Sequence, residues 1–262
     1  MRNIRLMIAY DGRAYHGWQV QPATITIQGT IEEVLARLTQ APCRLFVAGR
    51  TDAGVHAEGQ IANFRTESPL SCLRLQLGLN GLLPDDIAIL AVDEVAPDFN
   101  SRYGNGGKHY RYTIFNQRVP SLRYEGRSWR LWRELTLEPM VRAGQKLVGD
   151  HDFAAFRAAN CECETTTRTM YRCTLTTAPP LIQIDITGTA FLKNMVRIIV
   201  GTLVGIGRGK LAEGAVEEML QSGDRTLGGP TAPAQGLTLM RVFPAAESLE
   251  PGKGGSNTED AS

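Results

Sequence analysis

The 262-residue sequence has no uninterrupted apolar run of the roughly 18 residues that indicates a membrane-spanning helix. Its first residues read directly into a β-strand pattern and lack the long apolar stretch of a signal peptide. We therefore expect a cytoplasmic protein that does not cross a membrane. With 43% hydrophobic and 21% charged residues, the composition is typical of a globular protein, and the length suits one large domain or two of moderate size.

Cysteine and histidine are scarce. The five cysteines are odd in number and scattered, which does not predict a disulfide framework. Cys161 and Cys163 are the closest pair, but they lack the Cys-x-x-Cys spacing of a zinc site and no matching histidine pair follows. The four histidines show no Ser-His-Asp pattern. The sequence therefore predicts free thiols and no metal site.

A large excess of one charge is also absent, because 28 Lys and Arg against 27 Asp and Glu leave a net charge of +1. The distribution is more informative. The segment from Arg102 to Arg133 holds eight basic residues against one acid, Glu125, together with seven of the 18 aromatic residues. Arginine neutralises phosphate and aromatic rings stack on unpaired bases, so this mixture is typical of RNA binding. A solvated basic face over core aromatics has the same composition.

The apolar periodicity indicates two similar sets of strands and helices, with a seam near the glycine-rich residues 104–107. Helices scattered among strand hairpins favour an α+β fold over a doubly wound parallel sheet. Thr30 and Glu33 predict a capping box at the start of the first helix. We predict an N-terminal subdomain over residues 1–105, a C-terminal subdomain over 106–245, and a disordered polar tail over 246–262.

The polar loop over residues 49–56 lies between two β-like runs and contains Asp52. By itself, Asp52-Ala53-Gly54 predicts an Asx turn with glycine at positive φ. A carboxylate in such a loop is also suited to attack or stabilise an electron-poor sugar carbon, or to take a proton beside it. Local chemistry alone leaves both interpretations open.

The loop sequence Gly-Arg-Thr-Asp-Ala-Gly-Val-His resembles the signature loop of the tRNA pseudouridine synthase A (TruA) family. Further segments resemble motifs of that family in the same order, so the likeness extends from about residue 4 to about residue 243. These segments are Tyr15-His16-Gly17-Trp18-Gln19 with Ile27-Gln28-Gly29, Lys108-His109-Tyr110-Arg111-Tyr112, Asp152-Phe153-Ala154-Ala155-Phe156-Arg157, Phe191-Leu192-Lys193-Asn194-Met195-Val196-Arg197, and Gly236-Leu237-Thr238-Leu239.

The resemblance implies an isomerase that breaks the C1′–N1 bond of a uridine in tRNA, turns the uracil and joins C1′ to C5. It implies targets at positions 38, 39 and 40 of the anticodon stem-loop. It also implies two ferredoxin-like α+β subdomains whose sheets meet at a central basic cleft, and a homodimer. We expect no cofactor, because the reaction involves neither a redox change nor an external group.

The resemblance also assigns roles to two residues of the loop. Asp52 corresponds to the essential catalytic carboxylate of the family. Arg50 corresponds to an arginine that enters the RNA stem and fills the gap left by the flipped nucleotide, since a paired base must leave its stack before this chemistry can occur. Without the resemblance, Arg50 is an ordinary exposed loop arginine.

Two residues from later in the chain complete the expected site. Tyr110 corresponds to the tyrosine that stacks on the target uracil, although Tyr112 shares its face of the strand and is a competitor, and either could be a core tyrosine. Arg197 interrupts an apolar helix and could extend along the helix edge to solvent. The family places an arginine from this helix beside the aspartate, where a buried carboxylate needs a cation. Lys193 is a weaker candidate for that cation.

Two other functions are compatible with the sequence. The first is a non-catalytic RNA-binding module built on the same scaffold, which the presence of Asp52, Arg50, Tyr110 and Arg197 disfavours. The second is a carboxylate-dependent hydrolase that acts on a nucleoside and would release free uracil or ribose. The product of the reaction distinguishes these alternatives from the isomerase.

Overall fold

The computed structural model describes residues 1–159, 163–245, 247 and 249–252, and these residues form ten β-strands and five α-helices. The strands are β1 (Arg2–Tyr10), β2 (Phe46–Val47), β3 (His56–Thr66), β4 (Ile87–Val95), β5 (Asn105–Asn116), β6 (Trp129–Leu131), β7 (Gly149–Asp152), β8 (Thr167–Ala178), β9 (Leu181–Gly188) and β10 (Leu237–Pro244). The helices are α1 (Ile27–Thr39), α2 (Cys72–Leu82), α3 (Leu137–Gln145), α4 (Met195–Gly207) and α5 (Ala215–Ser222). The predicted α+β class is confirmed.

The ten strands of the described residues belong to one mixed sheet. Its main path runs β4-β1-β3-β10-β5-β9-β8-β7, with β2 added to β3 and β6 added to β5. The strands of the two halves of the chain join where β10 pairs in parallel with β3, at Thr238 with His56 and Leu239 with Ala57. The two expected sheets are therefore continuous through this short ladder. A ferredoxin-like arrangement within each half is not confirmed.

The buried side chains show which face of the sheet the helices cover. Ile4, Leu6 and Ile8 alternate along β1 and are fully buried, and Tyr112 and Ile114 do the same along β5. Since alternate residues of a strand share one face, these positions define the covered face. Helix α2 packs against β4, and α3 packs against β8 and α4. Within the described residues, no helix has both the length and the apolarity that crossing a membrane requires.

Helix α4 forms the centre of the second half. Each of its residues is buried except Arg197, and glycines at 201, 205 and 207 lie at close contacts with neighbouring segments. A Cβ on Gly201 would collide with the carbonyl of Pro230, so the strap formed by residues 228–236 lies directly on the helix. The apolar helix with a single charged member therefore presents Arg197 at a defined position.

Helix α1 begins before the predicted capping box. Thr26 is the N-cap, and its hydroxyl accepts a hydrogen bond from the Gly29 amide at 3.2 Å. Thr30 lies within the helix and donates to the Thr26 carbonyl at 3.0 Å. The predicted Thr30–Glu33 box is wrong because the preceding loop folds back onto the helix and supplies partners for its first amides.

The predicted tail over residues 246–262 lies mostly outside the described residues. Of the part that is described, Glu247 accepts a hydrogen bond from Arg241 at 2.9 Å. The Gly252 amide donates to the Tyr171 carbonyl of β8 at 3.0 Å. These residues therefore lie beside the second half of the sheet.

Candidate active site

The loop that contains Asp52 ends in a tight turn. The Val55 amide donates to the Asp52 carbonyl at 3.1 Å, and Gly54 has a φ of +78°. A positive φ at the third position of a four-residue turn is characteristic of a type II turn, which favours glycine. The predicted glycine at positive φ is confirmed, but the turn is closed by the Asp52 backbone carbonyl. No described hydrogen bond links the Asp52 side chain to the backbone of the turn, so the predicted Asx turn is not formed.

Three strands of the sheet hold this loop from below. The Tyr10 hydroxyl of β1 is 2.7 Å from the Thr51 hydroxyl, and the Gln60 amide of β3 donates to the Gly49 carbonyl at 2.7 Å. From β5, the Lys108 side chain lies so close that a Cβ on Gly49 would be 2.7 Å from its Cε. Sequence reasoning missed these supports, although a polar side chain at an inward strand position is a recognisable signal.

The loop after β1 holds the same segment from the side. The Trp18 amide donates to the Thr51 carbonyl at 3.0 Å, and Gly17 has a φ of +89°. A Cβ on Gly17 would lie 2.8 Å from the Thr51 oxygen and 3.2 Å from the Asp52 carbonyl carbon. Gly17 is therefore required both by its backbone conformation and by the space beside Asp52.

We expect the Gly17→Ala substitution to lower the free energy of unfolding by about 1–3 kcal/mol, because a side chain at this φ strains the backbone and displaces the loop. Urea unfolding of both proteins measures the difference. Gly214→Ala is the control, since a Cβ there meets no atom within 4 Å. Equal unfolding free energies for the two variants would contradict the close packing at Gly17.

Arg197 reaches Asp52 from α4. Its Nη1 lies 3.4 Å from Asp52 Oδ2 and donates to Asn194 Oδ1 at 2.9 Å, while its Nε donates to the Ala232 carbonyl at 2.7 Å. The Ala232 amide in turn donates to the Arg197 carbonyl at 3.1 Å. Two neutral oxygens thus orient the guanidinium, and its charge faces the carboxylate. The strap that carries Ala232 was not identified from the sequence.

The Asp52 carboxylate is half-buried. The expectation that it needs a neighbouring cation assumed that it is fully buried. Its side chain is 31% exposed, and that of Arg197 is 18% exposed. Oδ1 of Asp52 makes no hydrogen bond to any residue that the structure describes, whereas Oδ2 faces Arg197. One carboxylate oxygen therefore faces a cation, and the other has no hydrogen-bond partner among the described residues.

The two tyrosines of β5 have different environments. Tyr112 is fully buried, its hydroxyl donates to the Pro233 carbonyl at 2.8 Å, and its ring meets Trp129 edge-on. Tyr110 is also buried, with 6% of the residue exposed, and its ring meets Phe191 edge-on at 5.1 Å. Its hydroxyl makes no hydrogen bond among the described residues. Burial raises the pKa of Tyr110, and the nearby charge of Asp52 raises it further. Of the two tyrosines, Tyr110 therefore lies near Asp52 and has a hydroxyl without a described hydrogen-bond partner.

Arg50 and Lys193 lie farther out. Both side chains are exposed, and Lys193 forms no ion pair with Asp52 among the described contacts. Asp52, Tyr110 and Arg197 therefore come together, while Arg50 lies at the rim two residues from Asp52. Within the described ranges, no group of three or more His, Cys, Asp or Glu side chains is arranged to hold a metal ion.

Comparison with known proteins identifies a matching family. The family model described as tRNA pseudouridine synthase matches residues 6–104 and 143–243. The chain belongs to the tRNA pseudouridine synthase family. As a member of this family, the protein is an isomerase that acts on tRNA.

Curated relatives match almost the whole chain. The tRNA pseudouridine synthase A of Geotalea daltonii is 50% identical over 243 residues, which cover 93% of this chain and 100% of the relative. That of Geotalea uraniireducens is 49% identical over 245 residues, covering 93% and 100%. That of Acetivibrio thermocellus is 44% identical over 243 residues, again covering 93% and 100%.

The family match includes Asp52 in its first range and Arg197 in its second, whereas Tyr110 lies in the segment between them. In the structure, this intervening segment contacts the loop over residues 49–56 through His56, the last residue of that loop. The His56 Nε2 is 3.1 Å from the Gly126 carbonyl. Burial lowers the pKa of His56, so at neutral pH the uncharged ring donates to Gly126 through Nε2.

A charged cluster centred on Asp11 lies next to His56. The Asp11 carboxylate is 2.8 Å from Arg13 Nη2 and 2.9 Å from Arg127 Nη2. Burial raises the pKa of Asp11, but the hydrogen bonds from Arg13, the charge that His56 gains at acid pH and the charge of Arg127 outweigh burial and lower it to about 2. Both arginine side chains are more than half exposed. Arg13 of this cluster lines a cavity of about 410 Å³ that the Gly54 turn also lines.

Proposed function

We propose that the protein converts uridine to pseudouridine at positions 38, 39 and 40 of the tRNA anticodon stem-loop, with Asp52 as the catalytic carboxylate. The observation that supports this proposal most directly is the geometry of Asp52. One oxygen faces Arg197 at 3.4 Å, the other is open, and Tyr110 lies close by. Family membership supports the reaction class, and the resemblance to the A-type synthases supports the target positions.

The reaction requires an ionised carboxylate beside the ribose of the target. The C1′–N1 bond must break, the uracil must turn and C1′ must bond to C5. A proton must also leave C5 while N1 gains one, so that the product is an isomer of the substrate. The open oxygen of Asp52 suits three courses: attack at C1′, addition to the base, or removal of the C2′ proton. In each course Arg197 stabilises the charged carboxylate, and its hydrogen bonds to Asn194 and Ala232 hold it in place.

Tyr110 is the better candidate for contact with the uracil. Its ring and that of Phe191 form an aromatic corner near Asp52, and such surfaces stack on a flipped base. The hydroxyl is free to assist removal of the C5 proton. Tyr112 is less suited to this role, because its hydroxyl is already bound to the Pro233 carbonyl.

Matched substitutions to phenylalanine separate the two tyrosines. We expect Tyr110→Phe to lower kcat about 100-fold with little change in stability, because its hydroxyl is available for proton transfer and bonds to no described residue. Tyr112→Phe is expected to lower the free energy of unfolding by about 1 kcal/mol and to preserve kcat, because it loses the bond to Pro233. Pseudouridine kinetics and urea unfolding of both variants measure these effects. The reverse pattern would assign the uracil contact to Tyr112.

We propose that Arg50 fills the gap left by the flipped uridine, consistent with its exposed position two residues before Asp52. Arg13 and Arg127 extend the positive rim and suit contacts to the RNA backbone. We also propose a homodimer in the cytoplasm and a division into subdomains at residues 1–105 and 106–245. A dimer would enlarge the basic surface of a chain whose net charge is only +1.

One assay tests the function against its alternatives. The protein is incubated with unmodified tRNA, pseudouridine is mapped by position, and released uracil is measured in parallel. We expect pseudouridine at positions 38–40 and no free uracil. Free uracil without pseudouridine would indicate the hydrolase, and tRNA binding without either product would indicate the non-catalytic module.

A further inference from the structure

Lys108 is a buried cation near the site that the proposed chemistry does not use. It lies on β5 two residues before Tyr110, on the same face of the strand, and only 7% of the residue is exposed. Its aliphatic stem lies against Gly49, which is three residues before Asp52. Its Nζ donates to Asn105 Oδ1 at 3.2 Å.

The surroundings of Lys108 contain no described counter-charge. The loop that covers Lys108 contributes Gly49, which is followed by the cationic Arg50. In the sheet, Lys108 is paired with Val242 of β10 and with Gly188 of β9. Asn105 is a neutral acceptor. Lys108 forms no ion pair among the described residues, and its Nζ is bonded to the neutral Asn105. Burial lowers the pKa of Lys108 to about 8. An ammonium has three N–H donors, and a buried one without an anion is costly.

Asp52 is not the missing partner of Lys108. Its Oδ2 faces Arg197, and its charge affects Tyr110, whereas Lys108 lies under the opposite end of the loop at Gly49. Among the described residues no anion pairs with Lys108, so its charge is left for an anion that binds at this site. On the proposed function, the group that enters this cleft is a polyanionic RNA, whose phosphates are the anions available.

We propose that Lys108 binds a phosphodiester of the RNA backbone next to the target uridine and so positions that nucleotide over Asp52. This inference rests on the proposed function, since it takes tRNA as the ligand. A lysine suits the role because its flexible stem brings a point charge to a single phosphate. The neutral Asn105 holds the ammonium in the free enzyme without competing as an anion would.

The dependence of tRNA binding on salt tests the proposal. Lys108→Met keeps an unbranched stem against Gly49 and removes the charge. We expect the slope of log Kd against log salt concentration to fall by about one, the change that loss of one phosphate contact produces. Lys210→Met is the control, because it removes the same charge from an exposed position outside the site. A slope equal to that of Lys210→Met would overturn the proposal.

Proton uptake by the unmodified enzyme provides a second measurement if Lys108→Met does not fold. At pH 8 about half of a group with a pKa near 8 is uncharged, so pairing with a phosphate should take up about half a proton for each tRNA bound. Calorimetry in two buffers of different ionisation enthalpy measures this number. No uptake at pH 8 would overturn the proposal. Both measurements need only binding, so tRNA binding without pseudouridine formation would refute the proposed function and still decide the role of Lys108.

Discussion

Replacement of Asp52 by asparagine is expected to lower the rate of pseudouridine formation by at least about 1,000-fold. Asparagine has nearly the same shape and can still accept a hydrogen bond from Arg197, but it carries no negative charge. Each of the three reaction courses needs that charge. Single-turnover assays with saturating enzyme measure the chemical step separately from product release.

The structure gives reason to expect that Asp52→Asn folds and binds tRNA. The turn is formed by the backbone carbonyl of Asp52, and the side chain is 31% exposed. Asp93→Asn is the matched control, since Asp93 makes a surface ion pair with Arg5 and its side chain is 49% exposed. If Asp52→Asn binds tRNA and forms pseudouridine as fast as Asp93→Asn does, Asp52 is not the catalytic residue.

Replacement of Arg197 by methionine is expected to have the next largest effect, a loss of roughly 100-fold in kcat. The substitution removes the cation beside Asp52 and also leaves the Ala232 carbonyl and Asn194 Oδ1 without their donor. We therefore expect a further loss of about 1–3 kcal/mol in the free energy of unfolding. Pseudouridine kinetics and urea unfolding of the same preparation give the two quantities.

Two further variants separate the charge of Arg197 from its structural role. Arg197→Lys retains a cation but cannot reproduce both the bond to Ala232 and the contact with Asp52, so we expect it to restore kcat only in part. Arg142→Met is the control, because it breaks an exposed ion pair with Glu213 on the surface of the second half. A normal kcat for Arg197→Met would show that Asp52 needs no cation from α4.

Secondary structure was predictable where the apolar pattern was unambiguous. The strands β1 and β3 and the buried helix α4 follow directly from their apolar spacing. The leucines at alternate positions from 73 to 79 are less clear, because such spacing also suits a strand. They form α2, in which Leu75 and Leu79 are buried while Leu73 and Leu77 are 64% exposed. Packing of one helical face against the first half of the sheet decided between these structures.

The candidate site likewise combines residues that the sequence indicated with a choice that only the structure decided. A single loop motif indicated Asp52 and Arg50, but the choice between Tyr110 and Tyr112 was open because both share one face of β5. The Pro233 carbonyl, 121 residues later in the chain, binds the Tyr112 hydroxyl and leaves that of Tyr110 without a described partner. Such a contact between distant segments has no local sequence signal.

By itself, the sequence determined the α+β class, the turn at Asp52 and the order of the motifs, because these depend on local spacing and on the residue types that turns and reactions require. Only the tertiary structure decided which side chains meet. The parallel ladder between β3 and β10 joins the two halves, and α4 brings Arg197 within 3.4 Å of Asp52, 145 residues away in the chain. It also placed Lys108 beneath Gly49, because burial and charge pairing depend on the packing of strands that are distant in the sequence.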